Sequence, residues 1–469
     1  MKLKSTALLI CILVAAVLHS IAQTSTTPRV ASVEALVAAV AAAKSGAVVE
    51  LTEGTFKLAQ PLDLKTGVML KGAGIGKTII TNAESWTANP ATLPDAETDA
   101  PKFDRTGYLI RCANDAKNIG VSHLTLTGPT MHGAIFGWAN EGLHFHDLRI
   151  EEFMYCGIRT YIMKGAKIHD CTFVKTGMRW DKGKLGLKGG NTGGAIFGVW
   201  MSDTEIWNNR FLDGRTLPHE HCYGIKGREA RRCRIHHNTI EMGFSIELPF
   251  EGDEDVEIDH NILLSAISIP KYAGDLVPAS GRTFHIHHNY FRDGYSIEFV
   301  RNGVEIDHNL FDFDAAQDGS NLISAFGDVA AKGPCAFHNN LVSNPGRGVM
   351  WMNEPYANLE VRNNHIVART TKEPRTEGLF GFSDKSDFAT FRFTGNIVEC
   401  IGTARPLFRS DASGGALVEN NRLTNVSDTT RYANKQTGAS AGLEQPLKFA
   451  CGVNGEMTVD GWKTSQAAK

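Results

Sequence analysis

Apolar and polar residues alternate along this chain in one recurring phrase, which is clearest at residues 256–263, VEIDHNIL. Val256 and Ile258 are separated by a polar residue, a polar turn ends in Asn261, and a second apolar pair follows. Alternation with a period of two predicts a strand that buries one face. The phrase therefore predicts two short strands joined by a polar turn.

The phrase returns along most of the chain, with asparagine at the same position and steps of 20 to 32 residues. A period in this range, with short strands in each repeat, indicates a solenoid in which each coil covers the apolar row of the next. A stacked asparagine can bond to adjacent coils because its side chain both donates and accepts. The asparagines are Asn209, Asn238, Asn261, Asn289, Asn309, Asn340, Asn364, Asn396 and Asn421, and Leu124, Leu148 and Cys171 hold the position earlier.

This repeated asparagine phrase resembles the right-handed parallel β-helix of pectate-lyase-like polysaccharide enzymes. The resemblance spans roughly residues 48–423 and implies an all-β solenoid. Hydrolases, lyases, epimerases and phage adhesins share such folds, so the resemblance does not select one activity.

The chain divides into four predicted segments: a signal peptide at 1–22, an N-terminal cap at 23–47, the β-helix at 48–423, and a tail at 424–469 packing on the last coil. Lys2 and Lys4 precede an apolar run that is too short to span a membrane, and a small-residue cleavage site follows. The sequence therefore predicts export to the periplasm or the extracellular space, without membrane insertion.

The cap contains a predicted helix at 32–44, with Ser32 as its N-cap. Val33, Leu36, Val37 and Val40 recur at helical spacing, and we expect them to face inward over the first coil. Such a helix would cover the exposed strand edges at the end of the solenoid.

Composition supports a single elongated domain. The 469 residues are 42% hydrophobic and carry a formal charge of −3, which disfavours nucleic acid as a partner. Eight of the nine cysteines follow the signal peptide, and their positions beside strands favour small buried core residues. Disulfide pairing and oligomeric state stay open.

A further strand is predicted between successive asparagine phrases, with a central isoleucine facing inward and the next residue facing outward. Stacking these strands gives an outward column with several charged members. The column is Arg159, Phe197, Lys226, Glu247, Pro270, Glu298, Ser324 and Trp351, and a second column two positions on is Tyr161, Val199, Arg228, Pro249, Tyr272, Val300 and Asn353.

Glu247 and Glu298 occupy equivalent positions in FSIELP and YSIEFV, two coils apart. Parallel strands lie roughly 4.8 Å apart, so the two glutamates are anchored roughly 9.5 Å apart, near the carboxyl separation of inverting glycosidases. The first hypothesis is a glycoside hydrolase with Glu247, beside Lys226, as base and Glu298 as acid. The alternative is a stripe of alternating charge that stabilises stacked strands.

Aromatic and basic residues on or beside this face are candidates for substrate binding. Rings suit the apolar faces of sugars, and cations suit a sulfated or uronic-acid sugar. The predicted partner is therefore a polysaccharide or oligosaccharide. The candidates are Arg159, Tyr161, Trp180, His219, His221, Arg228, Lys271, Tyr272, Arg301 and Trp351.

Two other functions stay open. The strand YGIKGR with RIHHNTI resembles the chondroitinase-B-like lyases, which also degrade alginate. That resemblance implies a lyase with Lys226 as base, although Glu247 stands where the family has an arginine. A histidine such as His219 or His221 is the other candidate base. The third hypothesis is a carbohydrate-binding or adhesive solenoid without catalysis.

The histidines that precede the repeated asparagines are predicted to form a structural stack. They are His237, His260, His288 and His308. No cofactor and no metal ligand is assigned. Calcium at the acidic run 251–257 stays an alternative, with a solvated loop favoured.

Overall fold

The computed structural model describes residues 29–88, 105–177, 193–212, 222–248, 254–269, 283–292, 297–299, 303–313, 321–325, 335–352, 358–369, 378–382, 388–409, 416–427, 448–450 and 456–458. The predicted signal peptide and most of the predicted tail lie outside these residues. So do residues 251–253 of the acidic run at 251–257.

The described strands form two long parallel sheets along a solenoid. Each asparagine phrase contributes its two strands to a 26-stranded sheet. Its strands are β1 (Val48–Glu50), β2 (Gly54–Leu58), β4 (Met69–Lys71), β5 (Thr78–Asn82), β7 (Gly120–Thr127), β10 (His144–Glu151), β12 (Lys167–His169), β13 (Thr172–Val174), β15 (Glu205–Trp207), β16 (Arg210–Leu212), β18 (Arg234–His236), β19 (Thr239–Ile240), β21 (Val256–Asp259), β22 (Ile262–Leu263), β24 (Phe284–His287), β25 (Tyr290–Arg292), β27 (Val304–Asp307), β28 (Leu310–Asp312), β30 (Cys335–His338), β31 (Leu341–Ser343), β33 (Leu359–Arg362), β34 (His365–Arg369), β36 (Arg392–Thr394), β37 (Ile397–Ile401), β38 (Leu417–Glu419) and β39 (Arg422–Thr424).

The strands predicted between the asparagine phrases form a separate 13-stranded sheet. They are β3 (Leu62–Leu64), β6 (Tyr108–Cys112), β8 (Gly133–Gly137), β9 (Asn140–Glu141), β11 (Cys156–Lys164), β14 (Gly194–Ser202), β17 (Tyr223–Arg231), β20 (Phe244–Glu247), β23 (Ile267–Ile269), β26 (Ile297–Phe299), β29 (Asn321–Ala325), β32 (Gly348–Met352) and β35 (Phe380–Phe382). The strands β40 (Lys448–Ala450) and β41 (Glu456–Thr458) pair antiparallel near the C-terminus, and 3₁₀ turns lie at Arg105–Gly107 and Phe388–Thr390.

The nine repeated asparagines, called the ladder asparagines below, stack as predicted. The side-chain amide of each of the first eight donates to the side-chain oxygen of the ladder asparagine in the next coil, at 3.0–3.2 Å. That oxygen also accepts from the backbone N–H of the preceding ladder asparagine. The Cys171 N–H donates to the side chain of Asn209, so Cys171 holds the ladder position one coil earlier, as predicted.

The residue before each ladder asparagine makes the turn between the paired strands. His237, His260, His288 and His308 have φ between 50° and 55°, in the left-handed region. Asparagine, aspartate and histidine adopt this conformation more readily than other residues with a side chain. This requirement explains why the phrase has His, Asn or Gly before its asparagine. The four histidine rings stack 4.9–5.1 Å apart, which confirms the predicted structural stack.

One helix, α1 (Val33–Ala42), precedes the first coil and contacts β1, β2 and β3. The Ser32 hydroxyl accepts from the Ala35 N–H at 3.2 Å, which confirms the predicted N-cap. Leu36 and Val40 are buried and Val33 is partly buried against the core. The expectation that Val37 faces inward is wrong, because its helical position leaves it 38% exposed.

The core lies inside the coils, where aliphatic and phenylalanine side chains from both sheets form one continuous cluster. Seven cysteines in the described residues are free and buried, as expected for core residues; they are Cys112, Cys156, Cys171, Cys222, Cys233, Cys335 and Cys400. No helix within the described ranges is both long and apolar enough to cross a membrane. The chain is thus an all-β, right-handed parallel β-helix with an N-terminal capping helix.

Candidate functional site

The strand register of the 13-stranded sheet produces the predicted column of outward positions. Lys226 pairs with Glu247, and Glu247 and Glu298 are two coils apart because both pair with Ser268. The prediction that Pro270 lies between the two glutamates is wrong. Ile267, not Ile269, pairs with the central Ile246, so the column shifts by two residues in this coil.

The whole column follows from the register of consecutive strands. It runs Asp63, Arg111, Phe136, Arg159, Phe197, Lys226, Glu247, Ser268, Glu298, Ser324, Trp351 and Gly381.

The middle of this column is buried, although the sequence predicted only that its residues face outward from the sheet. Arg159 and Phe197 are 0% exposed, Lys226 is 2% exposed and Glu247 is 9% exposed. A second apolar cluster, separate from the core, explains part of this burial; it comprises Tyr108, Phe136, Tyr155, Cys156, Tyr161, Phe197 and Val199. The column therefore faces outward from the sheet but lies within a second packed layer.

Lys226 and Glu247 form a buried ion pair at the centre of the column. Lys226 Nζ lies 2.9 Å from Glu247 Oε1, and their side chains are 3% and 11% exposed. The Lys226 ammonium also lies 4.1 Å from the ring centroid of Tyr223. A buried charge pair is costly to desolvate, so it is weak evidence for a purely stabilising role. Glu247 has more contact with solvent than its partner.

Arg159 lies beneath this pair, surrounded by aromatic rings. Its guanidinium donates to the hydroxyls of Tyr155 and Tyr161, the latter at 3.0 Å. It lies 4.5 Å from the ring centroid of Phe197. Burial is the largest cause of the raised pKa of Tyr108 nearby, and burial raises the pKa of Cys156 to about 12. Both groups are neutral near pH 7, which leaves Arg159 as the charge in this group.

An aromatic shelf continues from this group toward solvent, formed by Trp138, Tyr161, Ile162 and Trp200. The Trp138 and Tyr161 rings stack with centroids 4.7 Å apart, and Trp200 lies 6.1 Å from Tyr161. Trp200 is 39% exposed, and its register neighbour Ile162 is 46% exposed. Large exposed apolar side chains beside a polar cluster are typical of ligand-binding surfaces.

The predicted substrate-binding residues that the structure describes differ in how far they are buried. Arg159 and Tyr161 are fully buried, so their position suits support of the aromatic shelf rather than direct contact with a substrate. Arg228 is half-buried in β17, two residues after Lys226. Trp351 is half-buried in β32, and the Arg409 guanidinium lies 4.2 Å from its ring centroid.

Several predicted residues lie outside the described part of the structure. Of Glu298, only the backbone position in β26 lies within the described part. The others are Trp180, His219, His221, Lys271, Tyr272 and Arg301.

Sequence reasoning missed Tyr108, Tyr155 and Trp138. Tyr155 directly precedes the strand that carries Arg159, and its hydroxyl accepts from that arginine. A tyrosine four residues before a buried arginine was the available signal, but the burial of Arg159 was not visible in the sequence. Trp138 follows β8 and stacks on Tyr161 of another coil, so only the register reveals it.

Comparison with known proteins identifies the fold. The tailspike protein of E. coli bacteriophage HK620, solved in complex with a pentasaccharide, superposes with a TM-score of 0.55 at 11% identity, covering 81% of this chain and 76% of the tailspike chain. A mannuronan C-5 epimerase A-module from Azotobacter vinelandii gives a TM-score of 0.49 at 15% identity, covering 80% of this chain and 91% of that chain.

An alpha-1,3-glucanase catalytic unit from Streptomyces thermodiastaticus gives a TM-score of 0.48 at 13% identity, covering 88% of this chain and 68% of that chain. Neither a protein-family model nor a curated protein matches the sequence. Identities this low show the shared right-handed parallel β-helix alone.

Proposed function

We propose that this chain is an exported carbohydrate-active enzyme that hydrolyses glycosidic bonds of a polysaccharide. The observation that carries the proposal is the Lys226–Glu247 ion pair, held at 2.9 Å on the outward side of the 13-stranded sheet. A buried ion pair costs free energy of desolvation, and a catalytic role is the reason we propose for its presence on this face. Glu247 is the member of this pair whose side chain keeps more contact with solvent.

Glu247 and Glu298 are the proposed catalytic carboxyls. Their strands are two coils apart, which puts their backbones roughly 9.5 Å apart. This gap leaves room for a glycosidic bond and a water molecule, as in inverting glycosidases. Glu247, paired with Lys226 at 2.9 Å, is the proposed base that activates water, and Glu298 is the proposed acid that protonates the leaving oxygen. The aromatic shelf would bind apolar sugar faces next to this pair.

The carbohydrate substrate class is supported by the fold neighbour that holds a pentasaccharide and by the exposed Trp200 ring of the shelf. Arg228, half-buried beside Lys226, suits a uronic-acid or sulfated sugar. We therefore infer that the polysaccharide is anionic.

A polysaccharide lyase is the second candidate, favoured by the cations and tyrosines gathered on neighbouring strands. Arg159 donates to Tyr155 and Tyr161, and Lys226 lies one coil beyond Phe197. A lyase at this face would use Lys226 or a histidine as its base and a cation to hold the uronate carboxylate. The complete burial of Arg159 ranks this candidate second.

The test is a screen of purified protein against plant and algal polysaccharides, read by reducing ends and by ultraviolet absorbance. We expect new reducing ends without an unsaturated uronate. Glu247→Gln should lower turnover by about a hundredfold or more, the usual loss for an acid or base. Glu360→Gln, at a half-buried position of the other sheet, is the control and should keep normal turnover.

Three results would contradict the proposal. Ultraviolet absorbance would indicate the lyase, and binding without any turnover would indicate an adhesive or binding solenoid. Normal turnover in Glu247→Gln would make the column part of the scaffold and move the search to other residues.

A further inference from the structure

A second group of ionisable residues lies on the outer face of the 26-stranded sheet, away from Glu247. Alternate strand residues share a face, so the pairs His285 with His287 in β24 and Glu305 with Asp307 in β27 point to the same side. The register pairs His285 with Glu305 and His287 with Asp307. Histidine and carboxylate thus stand next to each other on consecutive coils.

Three side chains in this group converge at one point. His285 Nε2 lies 2.6 Å from Asp307 Oδ1 and 3.9 Å from Glu305 Oε2. One ligand atom from each of these three residues lies within 4.8 Å of the other two. Their side chains are 20%, 9% and 35% exposed for His285, Asp307 and Glu305, so an ion could enter from solvent.

Two coils earlier, the contact equivalent to that between His285 and Asp307 is made by an arginine instead of a histidine. There Arg234 takes the position of His285, and its guanidinium donates to both oxygens of Asp259 at 2.9 and 2.8 Å. Guanidinium has no lone pair to offer a metal and stays charged. At His285 the same place is taken by an imidazole, which is a metal ligand when neutral. In these two described places the same diagonal contact therefore joins an arginine to Asp259 and a histidine to Asp307.

We propose that His285, Glu305 and Asp307 form a binding site for a divalent transition-metal ion of the zinc class. One imidazole and two carboxylates suit zinc or manganese, and water can complete the coordination from the exposed side. His338 Nε2 lies 3.0 Å from Glu305 Oε1 and orients that carboxylate from the next coil. The ion would join consecutive coils. The site lies on the other sheet from Glu247, so it does not depend on the proposed carbohydrate activity.

The test uses the full-length protein after chelator treatment, titrated with Co²⁺ and with Zn²⁺. His285→Gln is the diagnostic variant, because a glutamine amide can still donate to Asp307 but supplies no imidazole nitrogen. His236→Gln is the matched control. It lies in the neighbouring histidine group, whose Asp259 is bound by Arg234.

We expect the unmodified protein and His236→Gln to bind one equivalent of Co²⁺, with visible absorption that Zn²⁺ abolishes. Zn²⁺ should also raise their melting temperature, because an ion that binds only the folded state stabilises it. His285→Gln should lose the absorption and at least tenfold in Zn²⁺ affinity while keeping a cooperative melting transition. Absence of binding by the unmodified protein, or equal binding by His285→Gln, would overturn the proposal.

Discussion

A backbone conformation and a buried hydrogen-bonding position together set the residue pattern of the asparagine phrase. The residue before each ladder asparagine takes a left-handed conformation, and the asparagine then enters a buried position with all its polar atoms bonded to neighbouring coils. These two needs together select His-Asn, Asn-Asn and Gly-Asn pairs. The pattern was visible in the sequence because both requirements restrict residue type.

Asn261→Ala is expected to lower the free energy of unfolding by about 1–3 kcal/mol, since it leaves buried polar groups without partners. Asn261 is 0% exposed, and its amide donates to Ile235 O at 2.9 Å and to Asn289 at 3.0 Å. Urea unfolding measures the change, with the exposed Lys57→Ala as control. Equal midpoints for the two variants would contradict a structural role for the ladder.

His144 is expected to titrate below about 6.5, the ordinary histidine value. Burial is the main cause of its lowered pKa, followed by repulsion from His146, His169 and Lys167. Its Nε2 lies 2.8 Å from His169 Nε2, and a hydrogen bond between them requires one unprotonated nitrogen. NMR titration of the ring measures the pKa directly, and a value at or above 6.5 would contradict the expected environment.

The same shift makes folding stability depend on pH. The unfolded chain binds a proton at this position from about pH 6.5 downward, whereas folded His144 resists it, so stability is full above that pH and falls as pH drops below it. His144→Gln should lose part of this dependence. Urea midpoints at pH 7.5 and 5.5 test it, and an unchanged difference between the two pH values would count against His144 as a source.

At the scale of elements, periodicity predicted the strands well because most of the strands whose side chains the structure describes bury one face. The error at Pro270 is instructive. The segment AISIPK contains Ile267 and Ile269, two residues apart. Choosing the wrong isoleucine keeps each side chain on the correct face of the sheet but moves the predicted column position by two residues. Sequence alone could not separate these registers, because both bury an isoleucine.

The capping helix provides a direct test at this scale. Leu36→Ala should lower the free energy of unfolding by about 2–5 kcal/mol, because Leu36 is 0% exposed in the core. Val37→Ala, one residue on and 38% exposed, should change it by less than about 0.5 kcal/mol. Denaturant unfolding compares the two variants. Similar values for both would mean that α1 does not cover the first coil as described.

For the whole molecule, the repeat predicted the solenoid but not the second layer over the 13-stranded sheet. The stacking of Lys226 on Glu247 followed from strand equivalence. The burial of Arg159 did not, because Tyr155 and Tyr161 cover it through side-chain directions that the pattern of apolar residues leaves undetermined. Register is a property of neighbouring coils, whereas burial depends on everything packed above them.

The separation of the proposed carboxyls has a stereochemical consequence. Glu247 and Glu298 are two coils apart, with Ser268 between them, so water should attack from the face opposite the leaving group. Proton NMR of the first product, recorded before the anomers equilibrate, measures this outcome on the substrate found by the screen. An inverted anomer is the predicted result, and a retained anomer or an unsaturated uronate would contradict two-glutamate hydrolysis at this column.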